Sequence, residues 1–471
     1  MNEGIAKIRE PAAPKTRLSY TEFVDNSPMN SALWLLVIGL ILATALDGMD
    51  LMSASFAMPG IMKEFKLNPA LAGGFLSSAN IGLALGAILI PLAADRIGRK
   101  PIFQWVLLTF AFGSLLSAIA PNYHILLAAR FITGLGLGAE NPVCLAMITE
   151  FSPRRLRHLL LPTPSIAFGV GFIIAALISI WLIPAYGWRA VFYVGVIPAL
   201  MITYVQKYMP ESIRFLLSKG RAEEAGAIAR RMADRAGMAD VELVPPPAVR
   251  TEPKRSLFQQ LALLKPVWLP TLLLIIFLFC SFIQTFGVTA WLPALFVRQG
   301  ITLTRSFGYV LMIMAMAPFS HLIGMWLMAR MKRQAAALLM TTVATIFFVL
   351  FGLSFAYRWP IYVIVGSQVL QALFSQGVVS VVFTFSAEIF PTPVRGVGVG
   401  LVGGIGRFGA AFGPFIVGLA LHWGAQLSHI VYLLAVPLFV IAVITYFTIK
   451  VDPRGQALEE INAGKQLLAG H

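Results

Sequence analysis

The sequence predicts an all-α polytopic membrane protein, with twelve transmembrane helices arranged as two six-helix bundles. Three observations predict it: apolar runs of spanning length recur along all 471 residues, basic residues collect on one side of those runs, and the second half repeats spacings of the first. A bilayer core about 30 Å thick needs roughly 20 apolar residues per helix. Here 58% of residues are hydrophobic and the mean hydropathy is +0.80. Only 12% are charged, about half the share of a soluble domain.

Hydropathy windows of about 20 residues place spans near 33–59, 70–94, 101–120, 124–149, 160–184 and 188–206. Six more fall near 267–294, 306–329, 334–356, 360–387, 394–421 and 427–449. The domain plan follows: an N-terminal segment 1–32, a first bundle 33–206, a linker 207–266, a second bundle 267–449 and a tail 450–471. The polar residues before the first apolar run give no sign of a cleavable leader. Within the linker, RAEEAGAIARRMADRAG reads as a solvated helix, and Pro245-Pro246-Pro247 reads as a stiff breaker.

Lysine and arginine then set the orientation. If both termini are cytoplasmic, the far-side loops hold only Lys63, Lys66, Arg189, Arg298, Arg305 and Arg358, and 28 basic residues lie inside. A bias of that size is the positive-inside pattern. It accounts for the net charge of +15 without a nucleic-acid partner, since the basic residues sit in short loops and form no face interleaved with aromatics. Cys144 and Cys280 both fall in spans and suggest no disulfide framework.

The halves repeat. Glu150, Pro153 and Arg157 end the fourth span with the same spacing as Glu388, Pro391 and Arg395 at the tenth. Paired bundles of this kind place a solute site between them near the midplane, which argues for a transporter. No paired histidines, cysteine–histidine cluster or phosphate loop is present, so neither an enzyme nor a metal or cofactor site is expected. An ion gradient or facilitated diffusion remains as the driving force.

Charges stranded in the spans are the candidate machinery, because each costs at least about 2.5–3.5 kcal/mol at the bilayer centre. Asp47 and Asp50 share a helix face three residues apart, and Arg130 lies at a matching depth as an ion-pair partner for either or as a substrate contact. The sequence favours Asp50 as proton carrier, with Asp47 next. Glu140 is either a further proton site or a partner of Asn80 or Asn141. Arg407, in a glycine-rich stretch of span eleven, is the candidate anchor for an anionic substrate through its planar guanidinium; pairing with Asp47 or Asp50 is the alternative. Gln284, Trp291, Gln371 and Gln376 complete the candidate pocket, although amides inside a span also bond between helices. His321 is read as a proton relay or a structural side chain.

The loop PLAADRIGRKP, with Asp95, Arg96, Gly98 and Arg99, resembles the signature between spans two and three of the major facilitator superfamily. Gly98 permits a tight turn, and the arginines can pair with Asp95 and nearby helix ends, a switchable latch. Glu150, Arg157, Glu388 and Arg395 join the candidate latch. The second-half copy of the loop has Ala329 in place of the acid. Asp47-Gly48-Met49-Asp50, GLGLG after Arg130, Trp291-Leu292-Pro293 and GIGRFG together resemble the aromatic acid:proton symporter group of that superfamily. The resemblance implies a proton-coupled symporter importing a benzoate- or hydroxybenzoate-like acid by alternating access, with the first-span aspartates and Arg407 important. It implies a monomer in the bacterial cytoplasmic (inner) membrane, driven by the proton gradient. GAENPV and Pro210-Glu211-Ser212 also resemble nicotinate and organic-ion carriers, the alternative in which Glu140 touches the substrate.

Overall fold

The structure is a computed structural model that describes residues 17–238, 241–245, 262, 264–390 and 395–448. Among them, twelve helices are long and apolar enough to cross a membrane. Spans one to six are Ser31–Glu64, Pro69–Ile90, Arg99–Ala118, Tyr123–Phe151, Thr163–Tyr186 and Arg189–Tyr208. Spans seven to twelve are Trp268–Thr289, Leu303–Arg330, Gln334–Ala356, Ile361–Val379, Gly398–His422 and Leu427–Tyr446. Each overlaps a run expected from the sequence. Large apolar side chains point outward from them, Trp181 being 78% exposed and Leu200 71%. Only a hydrocarbon surrounding makes such a surface favourable.

The polar sequence between runs supplies the helix ends. Asn30, Asn68 and Asn122 accept backbone N–H groups of Leu33, Leu71 and Ile125 at the starts of spans one, two and four, satisfying donors that the helix leaves unpaired. Span six breaks before Pro198, whose ring and missing N–H interrupt a helix.

The linker side carries more than a helix. Ala222–Arg235 is helical, as expected, and Ile213–Ser218 precedes it. Beside these helices a short strand, Arg17–Ser19 (β1), pairs in parallel with Glu242–Val244 (β2). The helix Tyr20–Asn26 follows β1 through a capping box in which Glu22 bonds back to Ser19; those bonds hold the Glu22 carboxyl below its usual pKa. Pro246 and Pro247 lie outside the described residues, as do 1–16 and 449–471.

Spans two and four meet backbone to backbone. A Cβ added at Gly82, Gly86, Gly134 or Gly138 would fall onto the facing main chain. The stripe of small residues in GLGLG is therefore a packing face.

The two bundles touch from the face opposite the linker down to the middle. Phe56 packs edge-on against Phe307 with ring centroids 5.0 Å apart. The Ser77 hydroxyl donates to the Ala411 carbonyl at 2.6 Å. A Cβ at Gly418 would sit 2.5 Å from the Pro69 carbonyl, and one at Gly73 would sit 2.8 Å from that of Pro414. This far face is sealed. Gly418→Val is expected to wedge it open, raising labelling of a Ser77→Cys reporter by a membrane-impermeant thiol reagent severalfold. Unchanged labelling would mean that the contact does not control access.

Candidate functional site

Span one delivers two carboxyl groups to the interior of the first bundle, and they meet different partners. Asp50 is 1% exposed. Its Oδ1 accepts the Ser114 hydroxyl at 2.7 Å and its Oδ2 accepts Arg130 Nη1 at 2.8 Å. The Arg130 guanidinium also lies 5.2 Å from the Phe192 ring centroid, a cation–π contact that offsets some of its desolvation. Depth arithmetic along the sequence anticipates this ion pair. The structure corrects the reading of Arg130 as a substrate contact: it is wholly buried and turned toward Asp50.

Asp47 is 2% exposed and faces Glu140, which is fully buried. Glu140 takes no donor from Asn80, whose Nδ2 bonds the Leu76 carbonyl instead. Both Glu140 oxygens and Asp47 Oδ1 lack a hydrogen-bond partner. Just toward the linker, Thr44 Oγ1 donates to Cys144 Sγ at 3.7 Å.

Arg407 belongs to the second bundle but looks at the first. Gly404 meets Ile88 and Ala411 bonds Ser77, so Arg407, three residues after one and four before the other, shares that face. It is half-buried rather than sealed. Among the described residues no carboxylate lies within ion-pair distance of it; Asp47 acts on it at longer Coulombic range. A guanidinium in that position keeps its planar fork of donors available for a carboxylate.

Gln284, Gln371 and Gln376 line one small cavity in the second bundle, with Gln368, Ser375, Thr285 and Thr289. Gln368 Nε2 donates to Gln371 Oε1 at 2.8 Å, and the remaining amide atoms, Gln368 Oε1 and Gln371 Nε2, are buried without partners. Such groups fit a polar ligand or water. Trp291 does not join them. Its indole N–H donates to the Pro414 carbonyl at 2.9 Å and the side chain is wholly buried, so its expected substrate role is corrected to a structural tie between spans seven and eleven. Among the described residues, no group of three His, Cys, Asp or Glu is placed to hold a metal ion.

The latch residues divide. Arg99 approaches Glu150 at 3.6 Å, and its backbone N–H donates to Glu211 at 2.9 Å. Ser212 donates to Glu150. Gly98, at φ +119°, turns the chain so that Glu211 can come this close. Arg157 pairs with Asp25 at 2.5 Å, which departs from the expected grouping with Glu150, because the N-terminal helix reaches it first. Arg96 is exposed. The side chains of Asp95, Glu388 and Arg395 lie outside the described residues. Sequence reading also missed Ser114, Phe192 and Asp25. The Pro-Glu-Ser motif after span six was the available signal for Glu211 and Ser212.

Residues 41–464 match the family model described as sugar (and other) transporter. The chain is 31% identical over 400 residues to the niacin transporter NiaP of Acinetobacter baylyi, across 84% of this chain and 88% of that one. It is 30% identical over 444 residues to the 4-hydroxybenzoate transporter PcaK of the same organism, across 90% and 93%. A solved D-xylose–proton symporter superposes with a TM-score of 0.70 at 17% identity, covering 91% of this chain and 100% of that one; at that identity the likeness concerns the fold.

Proposed function

The chain belongs to the sugar (and other) transporter family, within the major facilitator superfamily, and from that premise we propose that it imports a single-ring aromatic carboxylate together with protons. It is a membrane-embedded, multi-pass transporter of small molecules and not an enzyme. The observation that carries the substrate class is Arg407, a half-buried guanidinium facing the other bundle with no ion-paired carboxylate among the described residues. A carboxylate docking there gains a charge-assisted, bidentate bond. The amide-lined cavity of the same bundle suits the polar substituents of a small ring. Niacin and 4-hydroxybenzoate, named for two relatives, are both single-ring aromatic carboxylates.

The three buried acids of the first bundle support proton coupling, and the proton gradient is the proposed energy source. Transport proceeds by the bundles rocking about the central site, with both termini cytoplasmic in a bacterial inner membrane. A niacin-like acid falls within the class. The organic-cation variant draws no support from Glu140, which is sealed against Asp47 and does not line the amide cavity.

Uptake into liposomes carrying the purified protein is the test. Accumulation of benzoate, 4-hydroxybenzoate or nicotinate is expected to rise as the outer solution is made more acidic than the lumen, and to fall to equilibration when the gradient is dissipated. Accumulation indifferent to the gradient, or competition by an aromatic cation rather than an anion, would reverse the reading.

A further inference from the structure

We propose that Asp47 and Glu140 form a carboxyl pair that holds one proton between them, and that this pair, not Asp50, is the proton-exchanging site. Spans one and four run antiparallel here, and Asp47 and Glu140 lie between two contacts that join them. Thr44 meets Cys144 at 3.7 Å on the linker side of the pair, and Asp50 meets Arg130 at 2.8 Å on the other side. Three residues beyond Thr44 and four before Cys144, helical rise carries Asp47 and Glu140 about 4.5 and 6 Å from that contact in the same direction, so the two carboxyl groups face one another.

Ionised carboxylates only accept hydrogen bonds. Here Glu140 Oε1 and Oε2 and Asp47 Oδ1 are buried and no donor reaches them. Two such charges side by side in a low-dielectric interior cannot both persist. A single proton converts the repulsion into an O–H···O bond and supplies the missing donor.

The surroundings agree. The charged or titratable groups facing the pair are Asp50 on span one, Cys144 on span four and Arg407 on span eleven, with Arg130 of span four behind Asp50. Span five packs on Gly48 through Phe168, and its one titratable residue, Tyr186, lies at the far end. Arg130 is engaged by Asp50, and Arg407 acts on Asp47 from beyond ion-pair distance. Asp50 is the poorer exchanger, because protonating it would cancel the charge that pairs with Arg130 and leave that guanidinium buried without a counter-ion.

Charge counting then gives a stoichiometry. Asp47, Asp50 and Glu140 oppose Arg130 and Arg407, so one shared proton leaves the buried set neutral. A carboxylate on Arg407 adds one negative charge, and a second proton on the pair restores neutrality. One proton would accompany each anion. The stoichiometry rests on the proposed substrate class; the shared proton does not.

Infrared difference spectroscopy on the full chain in liposomes, without substrate, reads the pair directly. The wild type should show the C=O stretch of a protonated carboxyl at neutral pH, shifting on exchange into D2O. Asp47→Asn and Glu140→Gln should each abolish it. A wild type without the band, a measurement that needs no variant, would overturn the pair, as would a band that survives either single substitution. Separately, a gradient of aromatic carboxylate across a solid-supported membrane should move no net charge. A steady current would overturn the one-to-one coupling alone. Absence of any carboxylate flux would count against the proposed substrate, leaving the infrared result to decide the pair.

Discussion

Arg407→Ala should raise the half-saturating concentration of an aromatic carboxylate about 10–150-fold in counterflow across liposomes. The size follows from removing charge-assisted hydrogen bonds of about 1.5–3 kcal/mol, where about 1.4 kcal/mol is tenfold. Arg407→Lys should fall between, since an ammonium keeps the charge but loses the planar fork. Folding should tolerate the change, because no carboxylate among the described residues loses an ion-pair partner. Counterflow needs no gradient, so the measurement isolates binding and reorientation from proton coupling. An unchanged half-saturation would remove Arg407 from the binding site.

Arg130→Met should be the most damaging single change to stability. It strands Asp50, 1% exposed, with a hydroxyl from Ser114 as its remaining partner. Breaking a buried ion pair from one side costs about 3–5 kcal/mol, whereas replacing both partners by apolar groups is often neutral. Melting of the detergent-solubilised protein, followed by size-exclusion profile, should therefore show a large loss for Arg130→Met. Asp50→Leu combined with Arg130→Met should recover most of it. If the double variant melts no higher than the single one, desolvation of Asp50 is not the cause.

The twelve spans were legible because a membrane helix declares itself by composition over about 20 residues, independent of its neighbours. The Asp50–Arg130 pair was legible as well. Depth along a helix is simple arithmetic, and a buried arginine has few places to go. Helix rotation was harder to read. Spans apolar on every side carry little record of which face meets which neighbour, so Ser114 and Phe192 looked like ordinary interior residues. For the same reason Trp291 passed as a pocket residue, when its indole ties span seven to Pro414. That the glutamines share one cavity was easier to anticipate, because an amide stands out in an apolar run. Arg157 was assigned by its motif, yet its partner Asp25 comes from a terminal helix that hydropathy does not register.

The contacts that close the far face, glycine against carbonyl, one hydroxyl bond and a pair of phenylalanine rings, contain no ionised group. Parting them forfeits dispersion and a neutral hydrogen bond, neither of which dissolved electrolyte screens. On the opposite face, Arg99 and Glu150 are partly hydrated ions whose attraction weakens as counter-ions crowd in. The Arg99–Glu150 pair lies within the first bundle. Salt therefore acts on the inside of one half of the carrier, while the seam between the halves on the far face is held by how closely bare backbones fit.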